Sequence, residues 1–120
     1  MSSKTFTDER GTITDLIVTP DYSITHITFN EGAIRGNHYH EKTVQHDFLL
    51  KGKLEWMVNE HSGLLSRDGN QDIKIHENEK HAYKALEYSE IISICFGVRK
   101  GSDYEKDVIR LEGKDKLIIL

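Results

Sequence analysis

The sequence predicts an all-β domain, a sandwich or barrel made of many short strands. Runs rich in β-branched and aromatic residues recur along the chain, several alternating apolar and polar at a period of two. Turn signals built from Gly, Pro, Asn and Asp separate these runs at regular intervals. No long helix competes with this reading.

Taken in order, Thr12 to Thr19 is a β-branched run that stops at Pro20-Asp21, a turn signal. Tyr22 to Phe29 alternates, with Ile24, His26 and Thr28 on one face and Thr25, Ile27 and Phe29 on the other. Asn30-Glu-Gly32 turns the chain into an extended stretch, Gly32 to His40. His46 to Leu50 and Lys53 to Val58 flank Lys51-Gly52, which predicts a tight hairpin. Asn59 to Asn70, with Gly63 and Gly69, reads as a loop or an irregular hairpin. Asp72 to Ile75, Ala82 to Tyr88 and Glu90 to Val98 supply three more strands. In the tail, Val108 to Leu111 and Leu117 to Leu120 are apolar enough for edge strands, although Tyr104 to Leu111 also suits a short helix. Trp56 alternates with Leu54 and Val58, which favours core packing over a second role as a platform for substrate. Cys95 sits in the apolar run Ile91 to Val98 and reads as a core thiol.

Length and composition set the bounds. A chain of 120 residues fits one domain spanning 1–120, with the motif-bearing barrel over about 22–98. A hydrophobic fraction of 37% with 30% charged residues is that of a globular protein. The net charge of −4, without a lysine or arginine run, argues against a nucleic-acid partner. No window approaches a membrane span, the N-terminus lacks an apolar signal core, and Cys95 has no second cysteine to bond, so a cytoplasmic location is expected. Edge strands need cover and Leu117-Ile-Ile-Leu120 would be wasted on solvent, which predicts a homodimer.

The chemistry concentrates in the histidines. His38 and His40 stand one residue apart on an extended segment and point the same way. His81 follows about forty residues later, at the head of another strand-like run. Two close imidazoles and one distant one, on different strands, are how a β-scaffold builds a metal or acid–base site. Three neutral imidazoles with an open position suit zinc, iron, manganese, nickel or copper. Counting alternation from Gln45 puts Asp47 and Leu49 on its face. The preferred register turns Gln45 and Asp47 inward, and a slip of one residue would turn His46 inward instead. His26, His61 and His76 read as surface or loop residues.

These residues resemble the motifs of the cupin superfamily. The first cupin motif runs Gly, five residues, His-x-His, three or four residues, Glu, six residues, Gly. Here Gly32, five residues, His38-Tyr-His40, four residues, Gln45, six residues and Gly52 reproduce its spacing, with Gln45 where the glutamate ligand usually stands. The second motif keeps only its histidine, His81, after His76-Glu-Asn78 and two residues. The resemblance implies a double-stranded β-helix, or jelly-roll barrel, holding a divalent metal with His38, His40, His81 and a fourth group, which the reading of the residues leaves open among Gln45, Asp47 and His46. A narrower likeness joins Arg35-Gly-Asn-His-Tyr-His40 to cupins that act on nucleotide sugars, the 3,5-epimerases, 3,4-ketoisomerases and epimerase-reductases. It implies an isomerase or epimerase in which His38 or His40 is the base and Arg35 a substrate contact, while the inward register makes Asp47 a candidate ligand or base beside the metal. Dioxygenase chemistry on a small organic substrate and non-catalytic small-molecule binding are the alternatives.

Overall fold

The structure is a computed structural model that describes residues 4–97 and 107–117. Eleven strands run through the described residues in chain order: β1 (Lys4–Asp8), β2 (Gly11–Val18), β3 (Tyr22–Phe29), β4 (Ile34–His40), β5 (Thr43–Lys51), β6 (Lys53–Val58), β7 (His61–Ser66), β8 (Asp72–Ile75), β9 (His81–Ala85), β10 (Ser89–Gly97) and β11 (Val108–Arg110). They form two antiparallel sheets, one ordered β1-β2-β3-β10-β5-β8 and the other β11-β4-β9-β6-β7. From β3 to β10 the chain passes from one sheet to the other at every connection except the β6–β7 hairpin. That winding is a jelly roll, as the cupin likeness implied.

Alternation along the strands builds the interior. In β5, Thr43, Gln45, Asp47 and Leu49 are buried while Val44, His46 and Phe48 are half-buried on the other side. Gln45 and Asp47 therefore face inward, and His46 faces out, 2.7 Å from the Asp72 carboxylate. Phe29, Leu49, Leu54, Leu65, Ile75 and Ile91 close the apolar core together with Val58, Tyr83 and Ala85. Each fully buried side chain of this size contributes about 1.5–3 kcal/mol relative to exposure.

Three local expectations change. Lys51-Gly52 is not a hairpin: β5 and β6 belong to different sheets, and Gly52 turns a corner between them. It does so at φ +92, where a Cβ would collide with Ser89 Oγ, so the turn signal is sound but its partner strands are not. The segment from Asn59 is a regular hairpin, closed by Asn59-Glu60 with Asn59 at φ 52 and Val58 paired to His61. The sequence understated β7 because its Gly63 breaks the pattern; a side chain there would meet the Trp56 ring at 2.6 Å. In the tail, Val108–Arg110 is a strand paired with β4, so the helical option is discarded for those residues. Residues 98–106 and 118–120, which carry the rest of the helical option and most of the C-terminal edge strand, lie outside the described residues. Lys4–Asp8 is also a strand, an exposed edge beside β2 that the alternation pattern did not announce. Among the described residues no helix is long and apolar enough to cross a membrane.

Candidate metal centre

A backbone irregularity puts the site together. Strict alternation would send Arg35 to the opposite face from His38 and His40. A bulge between Gly36 and His38 inserts Asn37, so that Arg35 pairs with Tyr83, and His38 with His81, on one inward face. The bulge uses Gly36 at φ +93 and Asn37 at φ 56, and a Cβ on Gly36 would stand 2.9 Å from the His81 carbonyl oxygen. Only glycine admits that approach. The tail fastens the same spot, since Leu111 N–H donates to the Asn37 carbonyl and Leu117 N–H to its side-chain oxygen, both at 2.7 Å.

The three imidazoles cluster as a result. Their ring centroids stand 4.9 Å (His38–His40), 4.6 Å (His38–His81) and 5.5 Å (His40–His81) apart. One ligand atom from each lies within 4.8 Å of the others. Nitrogens on a tetrahedral zinc stand roughly 3.4 Å apart, given Zn–N bonds of about 2.0–2.1 Å, so small ring rotations close the set onto an ion. Burial, then the charges of His81, His40 and Arg110, hold the His38 imidazole down to about 2. Burial also lowers His81, against the opposing pull of the Glu79 carbonyl and Asp47. Both rings are therefore neutral at physiological pH, the form in which imidazole ligates a metal.

Groups behind the rings set their orientation. His81 Nδ1 donates to the Glu79 carbonyl at 3.0 Å, which leaves Nε2 as a lone pair with no hydrogen-bond partner. Asp107 stands 3.9 Å behind His40 Nδ1, held by the backbone N–H groups of Glu41 and Lys42 and by the Thr43 hydroxyl at 2.5 Å. A carbonyl or carboxylate behind the ring is the usual support for a metal-binding histidine. Three clustered imidazoles, with the His81 Nε2 lone pair unused, fit a divalent metal.

The cluster opens on a cavity of about 340 Å³ whose walls include Arg35, His38, Gln45, His81, Tyr83, Ser93, Cys95 and Arg110. Arg35 is buried, its Nη2 3.3 Å from the Thr28 carbonyl and its guanidinium 5.4 Å over the Phe29 ring. Its Nε has no partner, and no carboxylate among the described residues pairs with it. Asp47 does not line the cavity. It lies fully buried behind it, where its Oδ2 accepts from Gln45 Nε2 at 2.6 Å and from the Tyr83 hydroxyl in a short hydrogen bond. Burial raises the Asp47 carboxyl, and hydrogen bonds from Ser93, Tyr83 and Gln45 pull the other way. Burial and Asp47 together push Tyr83 well above its ordinary value.

His38, His40, His81, Gln45 and Arg35 are thus brought to one place. Trp56 is not: it is half-buried against the core and is absent from the cavity wall. Cys95 is buried as a core thiol would be, but in the cavity wall. Sequence reasoning missed Tyr83, Asp107, Arg110 and Arg10, the last also in the cavity wall and paired with Asp8 at 2.7 Å. Tyr83 was within reach, since it follows His81 by two residues and alternation gives it the same face. Arg110 and Asp107 come from the far end of the chain, and Arg10 from the turn between β1 and β2, where nothing local marks them.

The fold is a jelly-roll barrel of the kind found in cupins, with a cluster of three histidines inside it that could hold a metal ion. The structure is similar to the capsular polysaccharide assembling protein CapF from Staphylococcus aureus, with a TM-score of 0.77 and 20% identity over 94% of this chain and 33% of that one. It is also similar to KdgF from Halomonas sp. (TM-score 0.71, 22% identity, 83% of this chain and 90% of that one). An RmlC-like cupin from Shewanella frigidimarina gives a TM-score of 0.71 at 14% identity, over 85% of this chain and 88% of that one. This chain spans about a third of the length of CapF. No protein-family profile and no curated protein matches the sequence.

Proposed function

We propose that this protein is a metal-dependent isomerase or epimerase acting on an anionic sugar or nucleotide sugar. The observation that carries the reading is the buried Arg35 guanidinium, with no carboxylate paired to it among the described residues, in the same cavity as the imidazole cluster. Desolvating an unpaired guanidinium is costly unless an anion arrives to meet it, and a phosphate or sugar carboxylate does so with bidentate geometry. Likeness in fold to a capsular polysaccharide assembling protein is consistent with carbohydrate chemistry.

His38, His40 and His81 would hold the metal, with Gln45 as a fourth donor. A divalent ion there supplies electrophilic stabilisation of the oxygen that gains charge when a proton leaves the carbon beside a carbonyl. The chain's own groups do the rest. Arg35 anchors the anionic end of the substrate and Arg110 adds positive charge near His38. Tyr83 lines the cavity and its hydroxyl donates to the buried Asp47 carboxyl, a pair that would pass a proton between the cavity wall and Asp47.

Elemental analysis of the purified protein beside a His38→Ala/His40→Ala variant tests the first half. About one metal ion per chain, lost in the variant, is the expected result. Deuterium exchange from solvent into sugar acids, sugar phosphates and nucleotide sugars, followed by NMR, tests the second. Oxygen consumption by an iron- or copper-loaded protein, with no exchange into any sugar, would replace the isomerase with a dioxygenase. A dimer is proposed as well, on the exposed Leu16, Ile17 and Val18 of β2; a monomeric mass by light scattering would remove it.

A further inference from the structure

We propose that Asp47 is the positioning residue that turns Gln45 into a metal donor, by fixing which end of its amide faces the three histidines. The inference rests on the metal reading of the cluster. An amide side chain has a donor end and an acceptor end, and only the oxygen binds a metal. Gln45 and Asp47 are two residues apart on β5, both inward. Asp47 Oδ2 accepts from Gln45 Nε2 at 2.6 Å and from the Tyr83 hydroxyl. Oδ2 is an acceptor for both whether or not Oδ1 carries a proton, so position 45 must turn a donor towards it. The Nε2 end is thereby committed to the wall, and Oε1 is the polar atom left to face the cavity that His38 and His81 also line.

The same geometry accounts for glutamine where a carboxylate would be the stronger metal ligand. A glutamate at position 45 would set a carboxylate against Asp47 Oδ2 with no N–H between them, so that two like charges meet or the pair must take up a proton to share. Exchanging the two groups, by Gln45→Glu together with Asp47→Asn, keeps one amide facing one carboxylate and leaves the net charge unchanged. Either change alone sets two groups of the same kind against each other.

Zinc titration by calorimetry on four proteins, with thermal melting of each apo form, tests this. Wild type binds zinc, and Asp47→Leu weakens it by about 10- to 100-fold, the usual cost of losing a group that orients a ligand. Gln45→Glu alone binds zinc poorly or melts early. Gln45→Glu/Asp47→Asn returns the affinity to within a few-fold of wild type. The melting curves separate lost binding from lost folding, and if Asp47→Leu does not fold, the double variant decides. A folded Asp47→Leu with unchanged zinc affinity overturns the proposal, as does a double variant no better than Gln45→Glu. A wild-type protein that takes up no zinc, manganese, iron, nickel or copper sinks the metal reading itself.

Discussion

The barrel interior has two ends, both built of buried side chains but on opposite terms. Along β5 the inward residues run Thr43, Gln45, Asp47 and then Leu49; along β9 they run His81, Tyr83 and then Ala85. On the antiparallel β10 the order reverses, from Ile91 to Ser93 and Cys95. One end is hydrocarbon and stabilises by leaving water. The other buries His40, His81, Asp47 and Arg35, each at 8% exposure or less, and carries desolvation costs that internal partners offset only in part. A buried polar end is what a binding site costs the fold, and the apolar end is what makes that cost tolerable.

Breaking the apolar end has the largest expected effect on stability. Leu54→Ala or Leu65→Ala should cost about 2–5 kcal/mol in denaturant unfolding, because both side chains are fully buried and each change leaves a cavity. Zinc affinity of the remaining folded protein should hardly change, and a large drop would mean that the two ends are not separable.

Changes at the polar end should invert this pattern. His81→Ala should abolish tight metal binding, while the apo protein loses about 1 kcal/mol with the bond to the Glu79 carbonyl and a further cavity term for the emptied ring site. Arg35→Met should leave the apo protein as stable or more so, since it replaces an unpaired buried charge with an apolar chain of similar volume. It should also weaken anionic ligands by roughly tenfold or more, the loss of one charge-assisted contact. Equal binding of neutral and anionic sugars by the variant and the wild type would refute the anion role.

Acid sharpens the comparison. The folded state holds His38 at about 2, below its ordinary 6.5, so the unfolded chain takes up a proton on acidification that the folded one refuses. His38's contribution is therefore complete above pH ~6.5 and falls as pH drops, by about 1.4 kcal/mol per pH unit. His81, shifted the same way, steepens the loss, whereas Asp47, shifted up, works in the opposite sense above 3.8. Metal-free protein should melt progressively earlier as pH falls from about 6.5 to about 4.5, and His38→Phe should flatten that slope. The smallest effect belongs to the exposed face: His46→Asn, which breaks the pair with Asp72, should cost less than about 1 kcal/mol and leave metal affinity unchanged.

Much of this is legible in the chain. The β class follows from alternation, which is local, and the shared face of His38 and His40 follows from their spacing. The inward turn of Gln45 and Asp47 is also a parity argument, and the burial of β5 agrees with it. Parity gives the wrong answer for Arg35, because one extra residue at Gly36-Asn37 shifts it, and a bulge is specified by the pairing of β4 with β9 rather than by either strand alone. Lys51-Gly52 misleads as a hairpin for a related reason: a turn signal states that the chain bends, not which strand it meets next. Asp107 and Arg110 reach the site from the far end of the chain, and Tyr83 meets Asp47 across 36 residues. Local pattern specifies the strands, their faces and the chemical types available. Tertiary structure decides which faces meet, because sheet pairing and barrel closure are contacts between distant residues that no local pattern encodes.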